Sequence, residues 1–297
     1  MGTEAEVVVV DGDPLLAARA ERRIAELEAR WSRFRTGSDV SSLNRCAGSS
    51  VPVSAATITL VTHALEAARA TEGRYDPSVG RSVAGHGYDR DFADVADAAV
   101  TLHPAPDVDG SWPAIEVDPI AGTVCLPEGM CFDPGGIGKG LAADLVAVEL
   151  GGDAAGLLIN LGGDLRAVGT APDPTAGWVV SIEDPFAAGT EAARLSIPAG
   201  AVATSSRVKR AWHTATGPAH HIIDPSTGRP AETDVITATV IAGDAWWAEA
   251  LATSLMLQGP DGLASCQGAE AMLITQDGAH HPTPGLLAVV GADAVPR

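Results

Sequence analysis

Apolar runs and amphipathic stretches follow one another along this chain without a regular alternation. Val7 to Val10 form an apolar run that predicts a buried strand. Asp11 and Asp13-Pro14 then read as a helix start, and Leu16, Ala20, Ile24, Leu27, Trp31 and Phe34 recur at three- and four-residue steps behind it. A polar loop from Arg35 to Asp39 follows, and a second helix is predicted over 56–71, closed by Gly73. The stretch 80–113 is rich in Gly, Asp and Pro and poorly periodic, which predicts a variable loop or insertion. From residue 114 onward strand patterns dominate: Ala114 to Val117, Thr123 to Leu126, Leu157 to Asn160, Trp178 to Ile182, Arg194 to Ile197 and Ile236 to Ile241. Helical patterns interrupt them at 138–150 and 244–257. Strand runs mixed with helices in this order predict an α+β fold rather than a doubly wound sheet. No repeat or low-complexity linker divides the chain, so a single domain over 1–297 is expected.

Composition narrows the partners. The 297 residues carry 38 Asp and Glu against 19 Lys and Arg, a net charge of −19. Such a surface repels phosphate backbones, so nucleic acid is not an expected partner. A site for an anionic ligand must then concentrate its few cations or recruit a metal. Cys46, Cys125, Cys131 and Cys266 show no CxxC pairing, which argues for free thiols in a reducing compartment, although Cys125 and Cys131 flank a turn. No apolar run approaches a membrane span. The N-terminus lacks a secretory signal, and Glu6 stands where a myristoylation motif needs Ser or Thr. A cytoplasmic protein is expected; a chain trimmed of its leader would read the same.

Candidate chemistry gathers in five segments. Cys131 to Asp144 packs four glycines (Gly135, Gly136, Gly138 and Gly140) and Lys139 into a turn that opens a helix. Unpartnered N–H groups and the helix dipole favour an anion there, glycines let a phosphate approach, and Lys139 adds a full charge. Asp133 can bind a ribose or amide donor, or help hold a metal. This is not a Walker A loop, because Gly140 and Leu141 stand where that motif places its hydroxyl. A glycine-rich helix start used only for close packing reads equally well. Arg74-Tyr75-Asp76-Pro77 is a turn with Asx character or a ligand-binding corner, and Asn160 to Asp164 ends a strand with two glycines. His220 to Pro230 holds two histidines and Asp224, a pairing that can supply a general base or simply form a hairpin. Glu249 and Thr253, four apart on one helix, can offer Mg²⁺ two hard oxygen ligands, though such a pair is common on any helix. His280-His281 is expected to be solvated.

The combination and order of these segments resemble the ApbE-like flavin transferases, FAD:protein FMN transferases. The likeness runs from the opening Met-Gly-Thr through Trp31-Ser32-Arg33-Phe34 to Leu43-Asn44, and on to Tyr75-Asp76-Pro77. It continues through Asp133 to Gly140, Gly162-Gly163-Asp164, Ala203-Thr204-Ser205, His221 to Gly228, and Ala248 to Thr253. The resemblance implies a T-fold-related, flavin-binding α+β domain of mixed sheets with flanking helices. It also implies binding of FAD with Mg²⁺ and transfer of the FMN half to a Thr or Ser hydroxyl of an acceptor protein, releasing AMP.

Carried over by position, Met1, Phe34, Arg74, Tyr75 and Asp76 would line the flavin and adenosine pocket. Asp133 and Lys139 would hold the nucleotide, with Ile222 and Ile223 beside it. The metal would take the backbone carbonyl of Gly136 and the side chains of Glu249 and Thr253, and His221 matches the position suspected as base, with Asp224 as the other candidate. Two departures stand out. The family usually has Asp where Glu249 stands, which puts metal affinity in question. Many relatives also carry a lipoprotein leader, and removal of Met1 before Gly2 would delete one flavin contact. An FAD pyrophosphatase, in which water replaces the hydroxyl, and a flavin-binding protein without turnover are the rival readings.

Overall fold

The computed structural model describes residues 3–96, 110–214, 217–266 and 268–286. The chain falls into two compact units, one of residues 1–2, 25–138 and 207–232, the other of residues 3–24, 139–206 and 233–297. Both mix helices and strands in the α+β manner the sequence predicts.

The second unit is built on a seven-stranded sheet. Its strands are β1 (Ala5–Gly12), β2 (Ala154–Leu161), β3 (Asp164–Gly169), β4 (Gly200–Ser206), β5 (Val235–Ala242), β6 (Glu270–Thr275) and β7 (His280–Pro282). Spatial order follows chain order, and every neighbouring pair is antiparallel. Residues alternate between the two faces. On one face Leu158, Leu165, Val202, Met272 and Ile274 pack against Trp178, Ile182, Leu195 and Ile197 of the hairpin Trp178–Glu183 and Glu191–Ile197. The helix Ala245–Gln258 packs on β4 and β5, burying Leu251, Leu255 and Met256. Each such side chain contributes about 1.5–3 kcal/mol on leaving water.

The first unit holds the helices Asp39–Arg45, Ala55–Ala70, Gly80–Gly85 and Phe92–Ala96. Ser38 and Ser54 cap the first two through their hydroxyls, which accept from the N–H groups of Ser41 and Thr57. A small sheet places Thr123–Cys125 between Ser50–Pro52 and Glu116–Asp118. The hairpin Ala211–Thr214 and Gly217–His220 adds Trp212 and Ala219 to a cluster with Val83, Tyr88, Val95 and Ile223.

The predicted elements differ from the observed ones in a few places. The helix behind Asp13-Pro14 spans Leu16–Trp31, so Phe34 lies past its end. Within 80–113, read as loop or insertion, the helices Gly80–Gly85 and Phe92–Ala96 form, and Val79 bridges Cys131 as a parallel partner. Residues 97–109 of that stretch lie outside the described residues. Strands β3, β4, β6 and β7 are not among the predicted strands. Strand β4 reads Gly-Ala-Val-Ala-Thr-Ser-Ser, small residues with little strand preference that are held by pairing to β3 and β5. His280 and His281 are not solvated. They lie half-buried on β7, paired with β6, because the ladder overrides their polarity. The cysteines are free, Cys125 and Cys131 included.

Candidate functional site

Two groups of side chains carry the candidate chemistry, one in each unit.

In the sheet unit, Lys139 stands in the first turn of the helix Gly138–Leu150. Its ammonium lies 2.5 Å from Asp164 Oδ2, at the start of β3, and also bonds Glu249 Oε1 from the helix Ala245–Gln258. Asp164 and Glu249 are 2% and 3% exposed, so both carboxylates sit out of water. The N–H of Gly140 donates to Glu249 Oε2 at 2.8 Å, and the Thr204 N–H donates to Asp164 Oδ1 at 3.2 Å. Burial would lower the Lys139 pKa, but the two carboxylates outweigh it and hold the ammonium charged. Burial pushes the Glu249 carboxyl upward, and Asp164 adds repulsion that Lys139 opposes. Two carboxylates against one ammonium leave this buried cluster one negative charge in excess, which attracts a further cation or a proton.

Thr253 stands one turn beyond Glu249 on the same helix, as the spacing predicts. Its hydroxyl donates to the Glu249 carbonyl at 3.1 Å and lies 3.2 Å from Ser205 Oγ on β4. The close approach of the two helices depends on Gly140. A Cβ at that position would press into the Ala245 carbonyl and come within 2.8 Å of the Trp246 nitrogen.

In the other unit, Asp133 is held by its neighbours. Asn44 clamps the preceding residue from both sides: its Nδ2 donates to the Phe132 carbonyl at 3.0 Å and its Oδ1 accepts from the Phe132 N–H at 2.8 Å. The Asp133 N–H donates to the Pro77 carbonyl at 2.8 Å, which ties the 131–135 segment to the Tyr75-Asp76-Pro77 turn. The Gly135 N–H donates to Asp133 Oδ1 at 2.8 Å, and Arg33 Nε lies 3.7 Å from the same oxygen. Gly136 follows with φ of 78°, a left-handed conformation that favours glycine and turns the chain toward the helix start.

Arg33 also lies over two rings, its guanidinium carbon 4.3 Å from the centroid of Phe34 and 4.6 Å from that of Tyr88. Arg210 Nη1 donates to Tyr88 Oη at 3.2 Å. The Tyr88 ring stands 5.7 Å from Phe34 and 5.8 Å from Trp212. Burial raises the Tyr88 pKa despite the two arginines, so the phenol stays neutral. This is an aromatic shelf edged by two guanidinium groups.

The remaining predicted residues separate into turns, core and half-buried polar groups. Asp76 is buried, and its Oδ1 accepts from the Ser78 N–H at 2.7 Å and from the Ser78 hydroxyl at 2.6 Å. Its Oδ2 accepts from Gly110 N–H at 3.0 Å, and burial raises its pKa against these bonds. Asp76 thus has the Asx character the sequence suggested. Arg74 pairs with Glu72 at 2.9 Å on the surface, and Tyr75 is 2% exposed. Ile222 and Ile223 are buried, and Ile223 joins Tyr88 and Trp212 in the apolar cluster that Phe34 packs against. Asp224 Oδ1 accepts from the Ser226 N–H at 2.8 Å and its hydroxyl at 2.7 Å, so its carboxylate serves the turn it begins. His221 is half-buried, with the ring nitrogen Nδ1 buried and the backbone N–H donating to the Arg210 carbonyl at 3.3 Å. Met1 lies outside the described residues.

Structure thus joins Lys139 with Glu249, and Phe34 with Ile223. It adds four residues that the sequence reading did not name as site residues: Asp164, Arg33, Tyr88 and Arg210. Asp164 closes the Gly162-Gly163-Asp164 turn, and Tyr88 is one of only two tyrosines, so both left a faint signal.

The family model described as the ApbE family matches residues 1–273. The FAD:protein FMN transferase of Rhodobacter capsulatus is 30% identical over 89% of this chain, and this chain spans 51% of that protein's length. The FAD:protein FMN transferase of Treponema pallidum is 30% identical over 86% of this chain and 75% of its own. Among solved structures, the ApbE protein of Thermotoga maritima superposes with a TM-score of 0.85 at 26% identity, covering 98% of this chain and 96% of its own. The flavin transferase ApbE of Vibrio cholerae shares the fold at a TM-score of 0.79 and 24% identity, over 97% of this chain and 96% of its own. With its family model matched over nearly the whole length, this chain belongs to the ApbE family.

Proposed function

We propose that this protein transfers the FMN half of FAD to a Thr or Ser hydroxyl of an acceptor protein and releases AMP. The observation that carries the reading is the buried cluster of Lys139, Asp164 and Glu249 at the start of a glycine-led helix. The two carboxylates, in excess of the one ammonium, favour the divalent cation that accompanies a pyrophosphate. The guanidinium-edged shelf of Phe34, Tyr88, Arg33 and Arg210 suits a flat heteroaromatic ring with an anionic tail.

The donor set fits Mg²⁺. The oxygens of Glu249 and Thr253 are hard donors, and Mg²⁺ ordinarily takes one or two carboxylates with the rest from water and substrate phosphates. Among the described residues no group of three or more His, Cys, Asp and Glu gathers as a metal cage. Glu249 and the Thr253 hydroxyl would therefore hold the ion together with pyrophosphate oxygens. Bound there, it would neutralise charge on the pyrophosphate and ease departure of AMP.

The protein's own groups do the rest. In a transfer of this type positioning and charge neutralisation supply most of the catalysis. The acceptor hydroxyl oxygen forms a bond to the FMN phosphorus, the bond from that phosphorus to the bridging oxygen breaks, and AMP leaves with the electron pair. His221 takes the hydroxyl proton; with Nδ1 buried, Nε2 is the nitrogen that would receive it. Asp224 is the second candidate base, and its use by Ser226 makes it the weaker one.

Equilibrium dialysis against FAD, with Mg²⁺ and with EDTA, tests the reading. One FAD per chain is expected, bound more tightly with Mg²⁺. No binding under either condition would overturn the flavin assignment.

A further inference from the structure

The helix that carries Glu249 and Thr253 takes no side-chain cap from the residue at its own start. Asp244 occupies the N-cap position in extended conformation, yet its side chain makes no capping bond. It points instead to Arg166, 3.3 Å away, and is 57% exposed. The free N–H groups of the first turn go elsewhere. Ala245 N donates to Asp144 Oδ1 at 3.0 Å, and Trp246 N donates to Asp144 Oδ2 at 2.8 Å. One carboxylate from the helix Gly138–Leu150 thereby closes two N–H groups of a helix a hundred residues later.

The exchange is reciprocal. Gly140, four residues before Asp144, donates its own N–H to Glu249, four residues after Ala245. Each helix start is thus satisfied by a carboxylate from the other helix, and each donor–acceptor pair lies one turn apart on its own helix. The bare Cα of Gly140 against the Ala245 carbonyl permits the approach.

We propose that Asp144 is a positioning residue for Glu249 and Thr253, acting by seating the first turn of their helix against the helix that carries Lys139. The inference rests on the Mg²⁺-dependent reading of that site given above. Glu249 stands about 6 Å along the helix axis from the capped residue, at 1.5 Å rise per residue. A metal ligand tolerates a shift of only about 0.5 Å. Fraying of the first turn therefore reaches the ligand before it reaches the core of the unit, where Leu251 and Leu255 hold the helix on the sheet. A side chain with a single capping oxygen would satisfy one of the two N–H groups. The carboxylate satisfies both, and Arg166 Nε supports it at 3.6 Å.

Asp144→Ala and Asp144→Asn test this by two readouts. The first is hydrogen exchange at the Ala245 and Trp246 amides without metal, expected to accelerate at least tenfold in Asp144→Ala. The second is FAD affinity titrated against Mg²⁺. The Mg²⁺ concentration for half-effect should rise about tenfold or more, while FAD affinity at saturating Mg²⁺ stays within a few-fold. Asp144→Asn keeps an acceptor for only one of the two N–H groups, so one of the two amides is expected to exchange faster and the Mg²⁺ concentration for half-effect to rise by a smaller factor, and it serves as the test should Asp144→Ala not fold. Accelerated exchange with an unchanged Mg²⁺ requirement would make Asp144 a stabilising residue only and overturn the inference, as would unchanged exchange. An unmodified protein with no Mg²⁺ requirement would instead sink the functional reading on which it rests.

Discussion

Gly140→Ala is the smallest change that puts the site's geometry at risk. A single methyl on the first turn of a helix ordinarily helps, since alanine exceeds glycine by about 1 kcal/mol in helix preference. Here the added carbon meets the Ala245 carbonyl and the Trp246 nitrogen, which are backbone atoms at the start of a packed helix. Backbone cannot rotate away as a side-chain tip can, so the two helices must separate. Overpacking of this kind costs about 1–3 kcal/mol. Separation also stretches the bond from Gly140 N–H to Glu249, whose loss costs about 1.5–3 kcal/mol for a charged acceptor. The two losses outweigh the gain in helix preference, leaving the variant about 3 kcal/mol less stable. For a protein of 297 residues that corresponds to a fall in Tm of roughly 5 °C. Thermal unfolding followed by circular dichroism at fixed protein concentration measures it. A variant with unchanged or higher Tm would refute the close approach of the helices, and with it the reciprocal capping.

Other changes probe the remaining groups. Glu249→Ala should raise the Mg²⁺ requirement of FAD binding about tenfold or more; identical metal titrations for variant and parent would leave Glu249 a partner of Lys139 and Gly140 only. His221→Ala should keep FAD affinity within a few-fold while transfer slows by roughly 100- to 10,000-fold, less at high pH where the hydroxyl needs less help. A normal rate would exclude His221 and turn attention to Asp224. The Asp144 carboxyl is pushed up to about 6, first by burial and further by Asp244, against its two N–H bonds and Arg166. A carboxyl whose folded pKa exceeds its unfolded value binds its proton more readily when folded. This group's contribution therefore falls as pH rises from about 4 to about 6, by up to about 3 kcal/mol. Asp144→Asn should lose that slope, so the parent gains on the variant toward pH 4 in urea titrations; a gain toward pH 7 would contradict the sign.

What the sequence disclosed depended on the range of the interaction. Helix 138–150 announced itself through its glycine-rich start, and the pairing of Glu249 with Thr253 through their spacing of four, because both are local signals. Lys139 was legible as a cation at a helix start, but not its partner Asp164, which β3 delivers through pairing with β2 and β4. The contact of Arg33 with Asp133 likewise joins segments a hundred residues apart. Capping misleads in a further way. Local rules assign the cap of helix 245–258 to Asp244, whereas Asp144 supplies it from another helix. His221 and Asp224 were visible as a motif, yet the Asp224 carboxylate is spent on its own turn, a use that sequence spacing does not separate from catalysis.

The central claim is transfer of FMN to a protein hydroxyl, and intact-mass spectrometry of an acceptor protein tests it most directly. The acceptor is incubated with this protein, FAD and Mg²⁺, and AMP is quantified in the same reaction. The account predicts an acceptor heavier by one FMN residue, mapped by peptide sequencing to a Thr or Ser, with one AMP released for each adduct. An unmodified acceptor with FMN and AMP free in solution, or with FAD intact, would contradict it.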